Sequence, residues 1–139
     1  MTKLRHLAIA SDDPDAAAQF YIDMFEFSRV SEFDAAWGRG HVLTDGTISI
    51  SILKYTDDAA AGVERGATFA GLHHIGFEVD DIGRFADRVE AAGGVARHDV
   101  SNALGIASDA SIKEYEGPDG VLFDLGGTAV WKVDTRTSG

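Results

Sequence analysis

The chain has 139 residues and no cysteine, and its 12 basic residues stand against 23 acidic ones for a formal net charge of −11. This length suits one compact domain, the charge disfavours phosphate backbones and anionic lipid as partners, and the lack of thiols leaves metal binding to His, Asp and Glu. No stretch approaches the roughly 18 apolar residues of a membrane span and no basic-then-apolar leader opens the chain, so a cytoplasmic protein that binds neither nucleic acid nor membrane is expected.

Leu4 to Ala10 reads as a strand, and Asp13-Pro14 supply an N-cap and a first-turn proline for the helix that follows. Its buried stripe is read as Ala17, Phe20, Tyr21 and Met24, the i, i+3, i+4, i+7 spacing of one helical face. Extended segments are expected at about 28–33, 38–44 and, after the Asp45-Gly46 turn, 47–55. In the last of these Ile48, Ile50 and Ile52 alternate with Ser49 and Ser51, the period of a strand with one face buried. An Ala-, Asp- and Gly-rich linker up to Ala70 has room for a short helical turn. The second half repeats the order: a strand from His73 to Val79, then a helix from Ile82 to Ala92 capped by Asp81 and stopped by Gly93-Gly94. Ile82, Phe85, Val89 and Ala92 form its expected stripe. Strands follow near 95–100, 112–116 and 121–125, with a turn at Gly117-Pro118-Asp119-Gly120. Each half thus reads βαβββ. The chain is expected to be an α+β protein with module one at 3–56, a linker at 57–70, module two at 71–131 and a tail at 132–139. Residues Ser101 to Ser111 form a loop long for so compact a domain, either a lid or a surface excursion.

The two halves share more than their order. His6-Leu-Ala-Ile-Ala-Ser-Asp12-Asp13 returns 68 residues later as His74-Ile-Gly-Phe-Glu-Val-Asp80-Asp81, each copy a strand that opens on histidine and closes on a helix-capping aspartate. A lone strand histidine is more often a satisfied core or surface residue, but two at equivalent places make a candidate metal site. Among the other imidazoles, His73 is expected on the strand face opposite His74, and His41 and His98 at the surface or on a pocket wall. Glu114 and Glu116 share one strand face while Tyr115 takes the other, so these carboxylates either point together into a site or stand exposed on a strand.

In this order and in duplicate, these residues resemble the vicinal oxygen chelate superfamily, the glyoxalase, bleomycin-resistance and extradiol-dioxygenase group. The resemblance covers about residues 3–131. Its carriers are His6 with Asp12, Phe20-Tyr21 ahead of Phe25-Glu26-Phe27, the frame from His74 to Asp81, and the segment from Gly117 through Asp124 to Leu125. It implies two βαβββ modules paired into a cupped mixed sheet, closed within one chain or by exchange between two, with a divalent metal in the cup. Carried over by position, it makes His6 and His74 ligands and puts Asp124 where the family usually has glutamate, five residues after the turn aspartate. Matching Asp45-Gly46 to Asp119-Gly120 sets Ile50 opposite Asp124, and a slip of one residue offers only Ser49 or Ser51, so the fourth protein position is vacant.

Two imidazoles and one carboxylate with open positions suit a divalent cation that must accept two substrate oxygens or dioxygen. Iron, manganese, nickel, cobalt and zinc are not distinguished. Glu114, four residues before the turn proline, stands where family members aim a side chain into the cup, a place where ring-cleaving relatives often have tyrosine. The fosfomycin-resistance subgroup is disfavoured, because no basic phosphonate-binding segment lies between Val95 and Glu116. The resemblance therefore implies, first, an isomerase or lyase that binds a small substrate through vicinal oxygens and stabilises an enediolate-like anion, with Glu114 as catalytic base. An Fe(II) ring-cleaving dioxygenase is second, and a metal-free, drug-sequestering binder of the bleomycin-resistance type is third. A homodimer is expected, because each four-stranded half leaves a sheet edge to be covered.

Overall fold

The computed structural model describes residues 2–133. The first half comprises β1 (Lys3–Ala10), α1 (Pro14–Phe25), β2 (Ser28–Ala35), β3 (Gly38–Thr44) and β4 (Ser49–Tyr55). A short helix, α2 (Asp58–Ala61), lies in the connecting stretch. The second half comprises β5 (Gly71–Glu78), α3 (Ile82–Ala91), β6 (Val95–Ala96), α4 (His98–Ala103), β7 (Ile112–Glu116) and β8 (Leu122–Gly126). The caps fall where the sequence puts them: the Asp13 carboxylate accepts from Ala16 N–H at 3.1 Å with Pro14 opening α1, and Asp81 accepts from Arg84 N–H at 3.0 Å.

All eight strands join in one mixed sheet, ordered β2-β3-β4-β1-β5-β8-β7-β6. β1 runs parallel to β4 and β5 parallel to β8, while an antiparallel β1–β5 ladder joins the halves. The cup therefore closes within one chain. Alternation then sorts side chains between the two faces. Ile50 and Ile52 pack with Leu43 and Ala18 beneath α1, and Val79, Tyr115 and Leu125 pack with Ala86 beneath α3. Ala8, Ala10, Leu53 and Tyr55 lie on the other face with Ala60 and Ala61 of α2. This is an α+β cup of the expected kind. Among the described residues no helix is long and apolar enough to cross a membrane.

Three local expectations need correction. α1 rests on Pro14 and Ala18, with Ala17, Tyr21 and Ile22 beside them, so Phe20 and Met24 are 53% and 60% exposed. The small Ala18 side chain lets the helix lie close to the sheet, which fixes its rotation and turns the bulkier residues outward. On α3, Ala86 is the buried residue of the stripe and Ala92 is exposed at the helix end. The strand expected to reach Val100 stops at Ala96 and gives way to α4. Arg97 pins that corner, donating to Glu64, Asp99 and Glu116 at 2.7–3.0 Å, and α4 packs on α2 with Val100 buried. The expected loop is thus partly helical, and Leu104 and Ile106 beyond it wall the cup.

Candidate metal centre and cavity

The register sets Ser49, His6, Gly76, Asp124 and Glu114 abreast on β4, β1, β5, β8 and β7. Residues abreast in a sheet share a face, and His74, two residues before Gly76, shares it too. Three ligand atoms converge there. His74 Nε2 lies 3.3 Å from His6 Nε2 and 3.1 Å from Asp124 Oδ2, and His6 Nε2 lies 3.7 Å from the same oxygen. These separations are close to the edges expected of ligands each about 2.0–2.2 Å from one cation. The donor set also fits: His6 and Asp124 are buried, and Asp124 Oδ1 has no hydrogen-bond partner, an arrangement that costs free energy unless a cation offsets it.

Protonation favours the same role. Burial, with the neighbouring His74 charge, lowers the His6 pKa to about 3, so the ring is neutral and able to ligate near neutral pH. His74 is lowered as well, chiefly by burial. Asp124 is raised to about 6 by burial, with Glu114 working in the opposite direction. Burial, and next the Asp124 charge beside it, push Glu114 well above the usual carboxylate range.

His73 is not on the opposite face. The β1–β5 register steps from Ala8↔His74 to Ile9↔Leu72, leaving His73 as the extra residue of a β-bulge, which turns it to the same side. It packs against Tyr55 with ring centroids 4.8 Å apart. The Ala61 carbonyl, 2.7 Å from His73 Nε2, can only accept, so that nitrogen carries the proton. The neutral His73 Nδ1 then accepts from His74 Nδ1–H across 2.7 Å, and His74 Nε2 is left with its lone pair aimed at Asp124 and His6.

Register also settles the module-one counterpart of Asp124. Asp124 pairs with the residue two after His74, and Ser51 pairs with the residue two after His6. Ser51, not Ile50, is the counterpart; Ile50 points away beneath α1. His41 is neither at the surface nor on the cavity wall: it is buried on the α1 side of β3, with Nε2 2.7 Å from Asp15. His98 is exposed at the start of α4 and lines a smaller side cavity. Glu116 is held by Arg97, so of the two strand glutamates only Glu114 reaches the main cavity.

That cavity, of about 340 Å³, holds the three candidate ligands and Glu114 and is otherwise largely apolar. Four of its aromatic residues were not singled out by sequence: Phe33, Trp37, Tyr55 and Trp131. Trp131 stacks on His6, with centroids 5.1 Å apart and planes 8° from parallel. Its indole fits because Gly76 and Gly126 carry no Cβ; one added there would lie within 2.9 and 2.5 Å of the ring. Glycines inside strands were the available signal of such a close approach. Gly76→Ala is expected to cost about 1–3 kcal/mol of stability through overpacking and to change Trp131 fluorescence. Urea unfolding and emission spectra indistinguishable from the parent would contradict this packing.

A family model described as the Glyoxalase/Bleomycin resistance protein/Dioxygenase superfamily matches residues 3–125. The chain belongs to that superfamily. No curated protein matches it in sequence. Among solved structures it is similar to a methylmalonyl-CoA epimerase in complex with methylmalonyl-CoA and NH4+, at 24% identity and TM-score 0.70 over 96% of this chain and 99% of that one. A Streptomyces coelicolor methylmalonyl-CoA epimerase variant in complex with 2-nitronate-propionyl-CoA gives 24% identity and TM-score 0.70, covering 95% and 98%. A hypothetical protein from Bacillus halodurans C-125 gives 21% identity and TM-score 0.71, covering 94% and 97%. At these identities the likeness shows a shared fold.

Proposed function

We propose that the protein is a cytoplasmic, metal-dependent isomerase or lyase acting on a small substrate with two adjacent oxygens. The observation that carries this reading is the convergence of His6 Nε2, His74 Nε2 and Asp124 Oδ2 beside the buried Glu114 in one cavity. A divalent cation bound by the three would supply Lewis acidity to the oxygen pair. Glu114 exchanges a proton with the neighbouring carbon, and burial, by raising its pKa above the ordinary carboxylate range, makes it a stronger base once ionised. Trp131 and the apolar wall limit water around that carbon. The epimerases of like fold are themselves isomerases, which agrees with this choice. Elemental analysis of protein purified without chelator, followed by NMR of α-hydroxyketones and α-keto acids in heavy water, tests it. Bound divalent metal and deuterium entering the carbon beside the oxygen pair are expected; no metal, or no exchange on any substrate, would contradict it.

One observation favours a second reading, Fe(II) ring cleavage. Ser51 stands where a fourth ligand would close the set, leaving two imidazoles and one carboxylate, the facial-triad pattern. Stoichiometric iron with dioxygen uptake on a catechol would favour it.

We also propose a homodimer, on changed grounds. β1 and β5 cover each other within the chain, and the surface proposed to be buried is the outer face of α1, where Phe20, Met24 and Phe25 are each more than half exposed side by side. Light scattering should give twice 14.8 kDa, and a monomer at micromolar concentration would remove the idea.

A further inference from the structure

We propose that the substrate's two adjacent oxygens sit on a compact, uncharged aromatic body, and that Phe33, Trp37 and Tyr55 select it. This rests on the chelate reading above. The cavity lining has a polar part and an apolar one. His6, His74, Asp124 and Glu114 make the first, and Phe33 of β2, Trp37 of the β2–β3 turn and Tyr55 of β4, which packs on His73 beside the polar group, make an aromatic wall. The three rings are contiguous, with centroids 5.5 Å apart for Phe33–Trp37 and 6.2 Å for Trp37–Tyr55. Leu53, Leu104 and Ile106 fill the rest of that wall.

Size and charge narrow the occupant. About 340 Å³ lies at the low end of ligand sites, enough for one ring and a short oxygenated head. Among the described residues Glu114 and Asp124 are the only carboxylic acids lining the cavity, and neither Lys nor Arg joins them. Three arginines around the cup are already engaged, Arg97 by three carboxylates, Arg39 by Asp15 and Arg5 by Glu78, and Lys113 and Lys132 line neighbouring cavities rather than this one. A polyphosphate tail would meet a chain of net charge −11 and no cation on the lining of this cavity. An aromatic body would instead gain both burial and offset or edge-to-face contact with the three rings.

The test is titration calorimetry of the Mn(II)-loaded protein with three probes: pyruvate, phenylpyruvate and methylmalonyl-CoA. The first two carry the same oxygen pair and differ by a phenyl ring. Phenylpyruvate is expected to bind about tenfold or more tighter than pyruvate, and methylmalonyl-CoA no tighter than pyruvate. In Trp37→Ala, and separately in Phe33→Ala, the preference should shrink towards parity while pyruvate affinity stays level. Equal affinity for the two keto acids, or tightest binding of the thioester, overturns this inference and leaves the chelate reading standing. Failure of both keto acids to bind although manganese is held overturns the chelate reading as well.

Discussion

Replacing His6, His74 or Asp124 singly with alanine is expected to abolish stoichiometric metal retention while the protein still folds. Removing a group that only orients a ligand costs roughly 10- to 100-fold in metal affinity. Loss of a ligand should cost more, because the donor atom itself is removed and neither Ser51 nor Glu114 is part of the three-ligand cluster to replace it. His73→Phe provides the matched comparison. It keeps the packing against Tyr55 but cannot accept from His74 Nδ1–H, so affinity should fall by the outer-partner amount, about 10- to 100-fold. His73→Asn, whose amide oxygen can accept that proton, should recover part of the loss. The pH dependence follows from Asp124. Metal binds the ionised carboxylate, and with a pKa of about 6 in the metal-free protein, affinity should be level above that pH and decline as pH falls through it. His6, lowered to about 3, stays neutral across this range and adds no step. Calorimetric titration with Mn(II) or Zn(II) reads all of this, and unchanged affinity in His6→Ala and His74→Ala would refute the assignment.

Glu114→Gln is expected to lower turnover by about 10²- to 10⁴-fold, the usual cost of losing one acid–base group. The substitution is nearly isosteric, and because burial and Asp124 push the Glu114 pKa upward, the neutral amide matches the form of the acid that its surroundings favour. Metal content and unfolding midpoint should therefore stay level. That separation distinguishes proton transfer from a structural role, which would move stability and leave turnover intact. Equal turnover in the two proteins would reduce Glu114 to a wall residue.

The duplicated histidine frames made the paired-module architecture readable, since His6 and His74 are each the fourth residue of β1 and β5 and Asp13 and Asp81 cap the helices that follow. Strand alternation also carried Tyr115 outward and Glu114 inward. What could not be read depended on register and rotation. Ala18 rather than Phe20 faces the sheet because helix depth, not hydrophobicity alone, decides which stripe is buried. The bulge at His73 adds one residue to β5 and moves an imidazole across the sheet, which a strict two-residue period cannot foresee. The same one-residue uncertainty separated Ile50 from Ser51. On β4, Leu53 and Tyr55 keep step with Ser49 and Ser51, so one strand buries both its faces; the isoleucines, as the more apolar set, drew attention from the face that lines the cavity. Trp131 is distant in sequence from His6 and Gly76, which it covers, and only Gly76 and Gly126 hint at the space kept for it.

X-ray absorption on the metal-loaded protein, with and without oxalate, tests the central claim most directly. Two imidazole nitrogens, one carboxylate oxygen and further exchangeable oxygens are predicted for the loaded protein, with both oxalate oxygens entering when it is added. A metal without two imidazoles, or one whose protein ligands leave no room for oxalate, would contradict the account.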